Sequence, residues 1–321
     1  MGLTTSTKAQ SIYPLELNLG QPSWDSSFYD VQQIAPNDYW LCGESGVLKS
    51  IDTNFNIKTI SIPYQTSDLL KIGIGKKFIF IASLYGIVHI YDTQTQGFVA
   101  YQLPKKYQKS VLYDLLILND STLLLAGGNP KIVKGKAAIP RGFILKTNPF
   151  LNKKPLVVWK NKLKFPFCLY KNDSLDQVFA ACYSGLNTKI MTLANTRHKP
   201  HFRRYAKVKA LIHSLQLYRG KMYFGGSKNF RYSKNGLVGS IDVKNKHIDP
   251  KIFETQSCVW QLHTSQNKLL ALSKSGIFQS EGKDFITKQT VFGTNPYKML
   301  AIRGGQYLVV GSQKKAFIIS P

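Results

Sequence analysis

Short apolar strands alternate with polar turns along this chain, and one unit of that alternation recurs. It reads as an opening strand that mostly starts on an aromatic residue, a polar turn, a very apolar strand ending in a small residue, and a third strand of alternating pattern. The very apolar strands are Tyr39–Gly43 (YWLCG), Phe78–Ala82 (FIFIA), Thr122–Ala126 (TLLLA), Gln177–Ala181 (QVFAA), Lys221–Gly225 (KMYFG), Lys268–Leu272 (KLLAL) and Gln306–Gly311 (QYLVVG), which makes seven copies. Opening strands begin near Tyr29, Leu70, Tyr113, Phe167, His213, Trp260 and Tyr297, at intervals of 37 to 54 residues. A four-stranded propeller blade takes about 40–45 residues. No stretch carries a helical period, which argues against a sandwich and against any βαβ fold. The pattern predicts an all-β chain: a seven-bladed β-propeller of four-stranded antiparallel blades.

In five units the third strand opens on glycine, at Gly46, Gly86, Gly142, Gly236 and Gly276. The expected reason is a tight connection that needs a positive φ. The third strands of units four and seven, Thr188–Leu193 and Lys315–Ser320, lack this glycine but keep the apolar pattern. The last unit has three strands only. Ser11–Leu19 (SIYPLELNL) precedes unit one and is apolar, so it is expected to complete the last blade and close the ring, removing an exposed edge. The domain reading is thus one propeller over residues 11–321. Residues 1–10 are either a flexible polar N-terminus or, from Thr7-Lys8-Ala9 before Gln10, the remnant of a secretory signal.

Two segments resemble known families. Phe28–Ile51 (FYDVQQIAPNDYWLCGESGVLKSI) resembles the repeat of photosystem II assembly factor-like and BNR-like propellers, and Tyr85–Asp92 (YGIVHIYD) resembles a degenerate WD40 third strand with Tyr in place of Trp. The resemblance implies the seven-bladed superfamily. It carries over no activity, because neither the sialidase Asp-box nor the WD40 Trp-Asp pair is present.

Composition changes the picture mainly through charge. The 321 residues hold 43 Lys plus Arg against 17 Asp plus Glu. Residues 1–100 carry six lysines and eight acids, whereas residues 101–250 carry 28 basic and six acidic residues. Such a field attracts acidic partners. In a propeller, the second-to-third connections and the inter-blade connections share one face. On that face unit three inserts Gly128–Arg141 and unit five inserts Gly226–Asn235, both basic, and the inter-blade connections Pro104–Ser110, Lys160–Phe165 and Arg204–Ala210 are basic as well. Together they hold Lys105, Lys106, Lys109, Lys131, Lys134, Lys136, Arg141, Lys160, Lys162, Lys164, Arg204, Lys207, Lys209, Lys228, Arg231 and Lys234. These form a candidate partner-binding face over blades three to five; lysine-rich loops that are merely solvated would give the same pattern. Tyr107, Phe165, Tyr205, Phe230 and Tyr232 lie among the cations and offer rings for stacking.

The second candidate is the channel mouth. There Tyr29, Leu70, Tyr113, Phe167, His213, Trp260 and Tyr297 fall at one level, followed by Asp30, Lys71, Asp114, Cys168, Ser214, Gln261 and Lys298. A small ligand or an inserted peptide suits such a funnel; packing between blades is the alternative. Metal and cofactor motifs are missing, and His198 and His201 have no nearby carboxylate or thiolate, so no metal and no cofactor is expected. The four cysteines are expected as buried free thiols. No run of eighteen apolar residues occurs, which excludes a membrane-spanning helix.

The functional expectation is a non-catalytic scaffold for an acidic protein, a glycan or an anionic lipid surface, in a bacterial cell envelope or else in the cytoplasm. Two alternatives remain: a nucleic-acid-binding propeller, and a channel-mouth lyase or glycosidase using Asp30, Asp114 and His213. Oligomeric state is left open.

Overall fold

The computed structural model describes residues 12–15 and 27–319, apart from 65, 134–135, 152, 163, 174–175, 185–186, 195–199, 229–234, 282–283, 291–293 and 314. Its strands group into seven four-stranded antiparallel sheets. Blade one is β2 (Phe28–Ala35), β3 (Asp38–Gly43), β4 (Leu48–Asp52) and β5 (Ile57–Thr59); blade two is β6 (Leu69–Ile74), β7 (Phe78–Ser83), β8 (Ile87–Asp92) and β9 (Phe98–Gln102). Blade three is β10 (Val111–Asn119), β11 (Thr122–Val133), β12 (Lys136–Thr147) and β13 (Leu156–Asn161); blade four is β14 (Phe165–Asn172), β15 (Gln177–Ser184), β16 (Asn187–Ala194) and β17 (His201–Val208). Blade five is β18 (Leu211–Tyr218), β19 (Lys221–Ser227), β20 (Gly236–Asp242) and β21 (Ile248–Thr255); blade six is β22 (Val259–Ser265), β23 (Lys268–Ser273), β24 (Gly276–Glu281) and β25 (Asp284–Thr290). Blade seven has β26 (Pro296–Ala301), β27 (Tyr307–Gly311) and β28 (Ala316–Ile319), and its outer strand is β1 (Ile12–Leu15) from the other end of the chain. The closing strand pairs Ile12 with Ile319 and Leu15 with Ala316. Residues 16–19 of the expected closing segment lie outside the described residues.

The second strand of each blade is apolar throughout because both of its faces are buried. In β11, Leu123 and Leu125 pack toward blade two, while Leu124 and Ala126 pack toward blade four. Seven apolar clusters result, one at each blade–blade interface. The cluster joining Phe28, Val31 and Leu41 of blade one to Leu308, Val310 and Ile318 of blade seven completes the circle. Burying one such leucine or valine contributes about 1.5–3 kcal/mol, so the ring is held by its interfaces as much as by its ladders.

Polar turns fix the strand ends. Asp52, Asp92 and Asp242 close the third strands of blades one, two and five, and each carboxylate accepts backbone amides two and three or four residues on. This is the Asx turn for which aspartate suits a connection. It gives a physical role to the terminal Asp of the Tyr85–Asp92 segment.

Two sequence expectations need correction. The segment Gly128–Arg141 is not a loop. It continues β11 and β12 as a hairpin arm, with Asn129 opposite Arg141 and Val133 opposite Lys136. The glycine rule also divides. Gly46, Gly86 and Gly276 do have positive φ, but Gly142 and Gly236 do not. There a Cβ would collide with the carbonyl of the incoming inter-blade connection, at Lys164 and Ser257 respectively, so close approach rather than dihedral freedom requires glycine.

Candidate functional site

Every innermost strand carries a β-bulge at the same place. In β2 the pairing steps from Phe28–Gly43 to Asp30–Cys42, leaving Tyr29 without a cross-strand partner. The same step skips Leu70, Tyr113, Phe167, His213, Trp260 and Tyr297. A bulge re-aims its extra residue, and here all seven point into one cavity of about 720 Å³ at the channel mouth. Five successive ring contacts run Tyr113–Phe167–His213–Trp260–Tyr297–Tyr29, with centroids 4.9–5.9 Å apart. Leu70 of blade two is the gap in this aromatic arc.

The residue after each bulge ties its blade to the next. Asp30 Oδ2 accepts the Ile72 amide at 2.9 Å, Asp114 Oδ2 the Leu169 amide at 2.6 Å, Ser214 Oγ the Leu262 amide at 2.9 Å and Gln261 Oε1 the Met299 amide at 2.5 Å. The Leu215 amide bonds in the same way to Cys168. Blades two and seven break the rule with lysines. Lys71 Nζ lies 3.8 Å from Asp30 and 3.5 Å from Asp114, and Lys298 Nζ lies 3.7 Å from Asp30. The Leu115 amide, which a polar residue at position 71 would accept, is instead taken by Asp114 Oδ1 at 2.9 Å. Burial pushes Lys298 down, aided by the neighbouring Lys71 ammonium, whereas the two carboxylates hold Lys71 up against the opposing effect of its own burial. At the rim, Glu44 accepts the Tyr29 hydroxyl at 2.7 Å and the Ser27 amide at 3.0 Å. Burial and this bond raise the Tyr29 phenol. Burial alone depresses His213 to about 4, so the ring at the mouth is neutral.

The inter-blade connections lead into the innermost strands, so the cationic segments and the channel mouth open on one face of the ring. Lys105, Lys106, Lys109, Arg141, Lys162, Lys209 and Lys228 are exposed and Lys164 is partly buried. Arg204 and Lys207, expected in an inter-blade connection, are exposed instead within β17, and Lys160 is exposed near the end of β13. Among the described residues, Lys228 pairs with Glu254, and the other ten make no ion pair. Lys131 and Lys136 sit on the hairpin arm. Lys134, Arg231, Lys234, Phe230, Tyr232 and His198 lie outside the described residues. The rings among the cations are already engaged: Tyr107 contacts Phe143 at 4.7 Å, Phe165 contacts Tyr183 at 4.2 Å and Tyr205 contacts Phe179 at 5.3 Å.

A third feature was not visible in the residue pattern. Between blades three and four, Trp159, Asn161, Lys164, Cys182, Lys189, Met191 and Arg204 line a pocket of about 150 Å³. Lys189 was missed because it occupies an ordinary strand position, and only the register brings it to the others. All four cysteines are buried and free. Among the described residues no group of three His, Cys, Asp or Glu is arranged to hold a metal, and no helix is long and apolar enough to cross a membrane.

No protein-family model and no curated protein matches this sequence. The fold is matched by many solved structures. One is the extracellular domain of the one-component system BT4673 from B. thetaiotaomicron, at TM-score 0.66 and 11% identity, covering 98% of this chain and 40% of that one. A catalytically inactive virginiamycin B lyase from Staphylococcus aureus, solved with quinupristin, matches at TM-score 0.68 and 8% identity over 97% of this chain and 99% of that one. YCF48 bound to D1 peptide matches at TM-score 0.65 and 12% identity over 99% of this chain and all of the other. Identities this low show the fold alone: a seven-bladed propeller.

Proposed function

We propose that this protein is a non-catalytic scaffold whose cationic face over blades three to five holds an acidic polypeptide. The observation that carries this reading is the set of exposed cations over blades three to five that make no ion pair among the described residues. Loops and arms on a rigid ring are where binding surfaces lie, and a similar propeller has been solved with a peptide bound. The channel mouth supports the non-catalytic half of the reading. Asp30 and Asp114 are both committed to inter-blade amides and to Lys71, which leaves neither poised to exchange a proton with a substrate. An exported location draws support from the extracellular domain among the similar structures.

The test is a titration with fluorescent polyglutamate, with polyanionic glycan, anionic vesicles and single- and double-stranded DNA as comparison arms. Binding to polyglutamate should weaken at least about tenfold between low and high salt. Reversing charge at Lys105, Lys160 and Lys209 together should abolish it. Salt-independent binding that survives the triple reversal would remove the face from consideration.

A further inference from the structure

The pocket between blades three and four is built from like charges. Lys189 of β16 lies directly opposite Lys207 of β17 in the ladder, and like charges at opposed positions destabilise a sheet. Lys164 then arrives from the inter-blade connection and lines the same pocket as Lys189. Its backbone is pinned there, since the Gly142 amide donates to the Lys164 carbonyl at 3.1 Å and glycine alone allows so close an approach. Arg204 adds a guanidinium at the edge. Among the described residues no carboxylate lines the pocket and none of these four cations makes an ion pair. Cys182 at the back is held as the neutral thiol by burial. The crowding agrees with a Lys164 pKa lowered first by the adjacent Lys189 side chain and then by burial. The fold therefore places two ammonium groups and a guanidinium around a small cavity, with Lys207 beside them in the ladder, and among the described residues no carboxylate there neutralises them.

Resting on the cationic-face reading, we propose that this pocket is the binding site for a phosphate monoester carried by the acidic partner. A dianion with three terminal oxygens answers several converging donors, which a single carboxylate cannot. Arginine supplies the planar fork that grips such an oxyanion, and lysines supply mobile point charges. Trp159 and Met191 form an apolar wall for the organic side of the ester. The wall favours an ester over free phosphate.

The experiment uses the full chain with phenyl phosphate, inorganic phosphate, acetate and sodium chloride at equal ionic strength, read by calorimetry and by the shift in Tm. Phenyl phosphate should bind best, inorganic phosphate more weakly, and acetate no better than chloride. Lys164→Gln and Lys189→Gln should each weaken phenyl phosphate at least about tenfold, the size expected for one charge-assisted contact, while Lys58→Gln on blade one should not. Without anion, Lys189→Gln should melt no lower than the parent chain, because the change relieves repulsion; this separates a binding role from a structural one. An equal response to phenyl phosphate and chloride, or undiminished phenyl phosphate binding in both glutamine variants, would overturn the site. Polyglutamate binding distinguishes the two levels. If it persists while phenyl phosphate fails, the pocket falls and the face stands; if both fail, both fall. Phosphorylated peptide against phosphoinositide vesicles then decides the source: preference for the vesicles would overturn the polypeptide assignment.

Discussion

The Asp114 carboxylate of blade three holds the backbone amide of Leu169 in blade four at 2.6 Å. Its second oxygen takes the Leu115 amide at 2.9 Å, and Lys71 from blade two stands 3.5 Å away. One buried side chain thus joins three consecutive blades at the rim of the channel.

Removing that junction leaves the partly buried Lys71 half-paired and two amides without acceptors. Asp114→Ala should therefore cost about 3–5 kcal/mol, the range for breaking a buried ion pair, seen as a lower midpoint in urea. Asp114→Asn keeps one carbonyl oxygen for an amide and should cost less. Ser214→Ala, which breaks one neutral inter-blade bond to Leu262, should cost about 1–2 kcal/mol. Equal losses in all three variants would deny the charged junction its special weight.

The position of Asp114 was legible in the sequence, but its partners were not. Aromatics recur at one place in the unit, so the seven inward-facing residues and the seven that follow them could be aligned by register. The inter-blade bonds join residues such as Asp30 and Ile72, and no local period encodes which amide a bulge will free. The residues of the hairpin arm suggest a loop because its Gly, Asn and Pro are turn formers, whereas an arm carried on an existing ladder does not need apolar alternation. Gly142 was recognised as special for the wrong physical reason, since crowding by an inter-blade connection leaves no trace in the neighbouring residues.

Acid should weaken the fold through its buried imidazoles. His89, His213 and His263 are each depressed to about 4, in the first two by burial alone and in His263 by burial and then Lys298. Because the unfolded chain binds their protons near pH 6.5 and the folded chain only near 4, unfolding takes up protons between those values. Stability from this source is complete above about pH 6.5 and falls as pH drops toward 4, by about 3 kcal/mol for each imidazole at the order-of-magnitude level. His213→Phe should flatten part of that slope in urea midpoints measured across the window. An unchanged slope would assign the acid loss to other groups.

Closure by β1 predicts an edge defect on truncation. A chain lacking residues 1–19 leaves β28 without its outer neighbour, and an unpaired edge strand templates association. The truncated protein should melt lower and scatter light at concentrations where the full chain stays clear. A synthetic Ser11–Leu19 peptide added in excess should restore the midpoint by strand addition. If truncation leaves both Tm and scattering unchanged, the pairing of Ile12 with Ile319 contributes nothing to stability.

Crowding at Gly142 gives the last prediction. A Cβ there would press on the Lys164 carbonyl and the Phe165 backbone, although the dihedral angles themselves suit an ordinary residue. Gly142→Ala must therefore push the inter-blade connection outward, at about 1–3 kcal/mol for overpacking a filled site. Phe165 moves with it, and so does its ring contact with Tyr113, whose centroid is 5.2 Å away in the channel mouth. The same displacement draws Lys164 from Lys189, so one methyl group should lower stability and weaken phenyl phosphate binding together. Gly220→Ala is the matching control: its φ of 74° is strained for alanine, but its Cβ would meet nothing within 4 Å. It should lose about 1 kcal/mol and leave phenyl phosphate binding as it was. Coupled loss at position 142 against uncoupled loss at position 220 would tie the pocket to the inter-blade connection, and equal binding in both variants would break that tie.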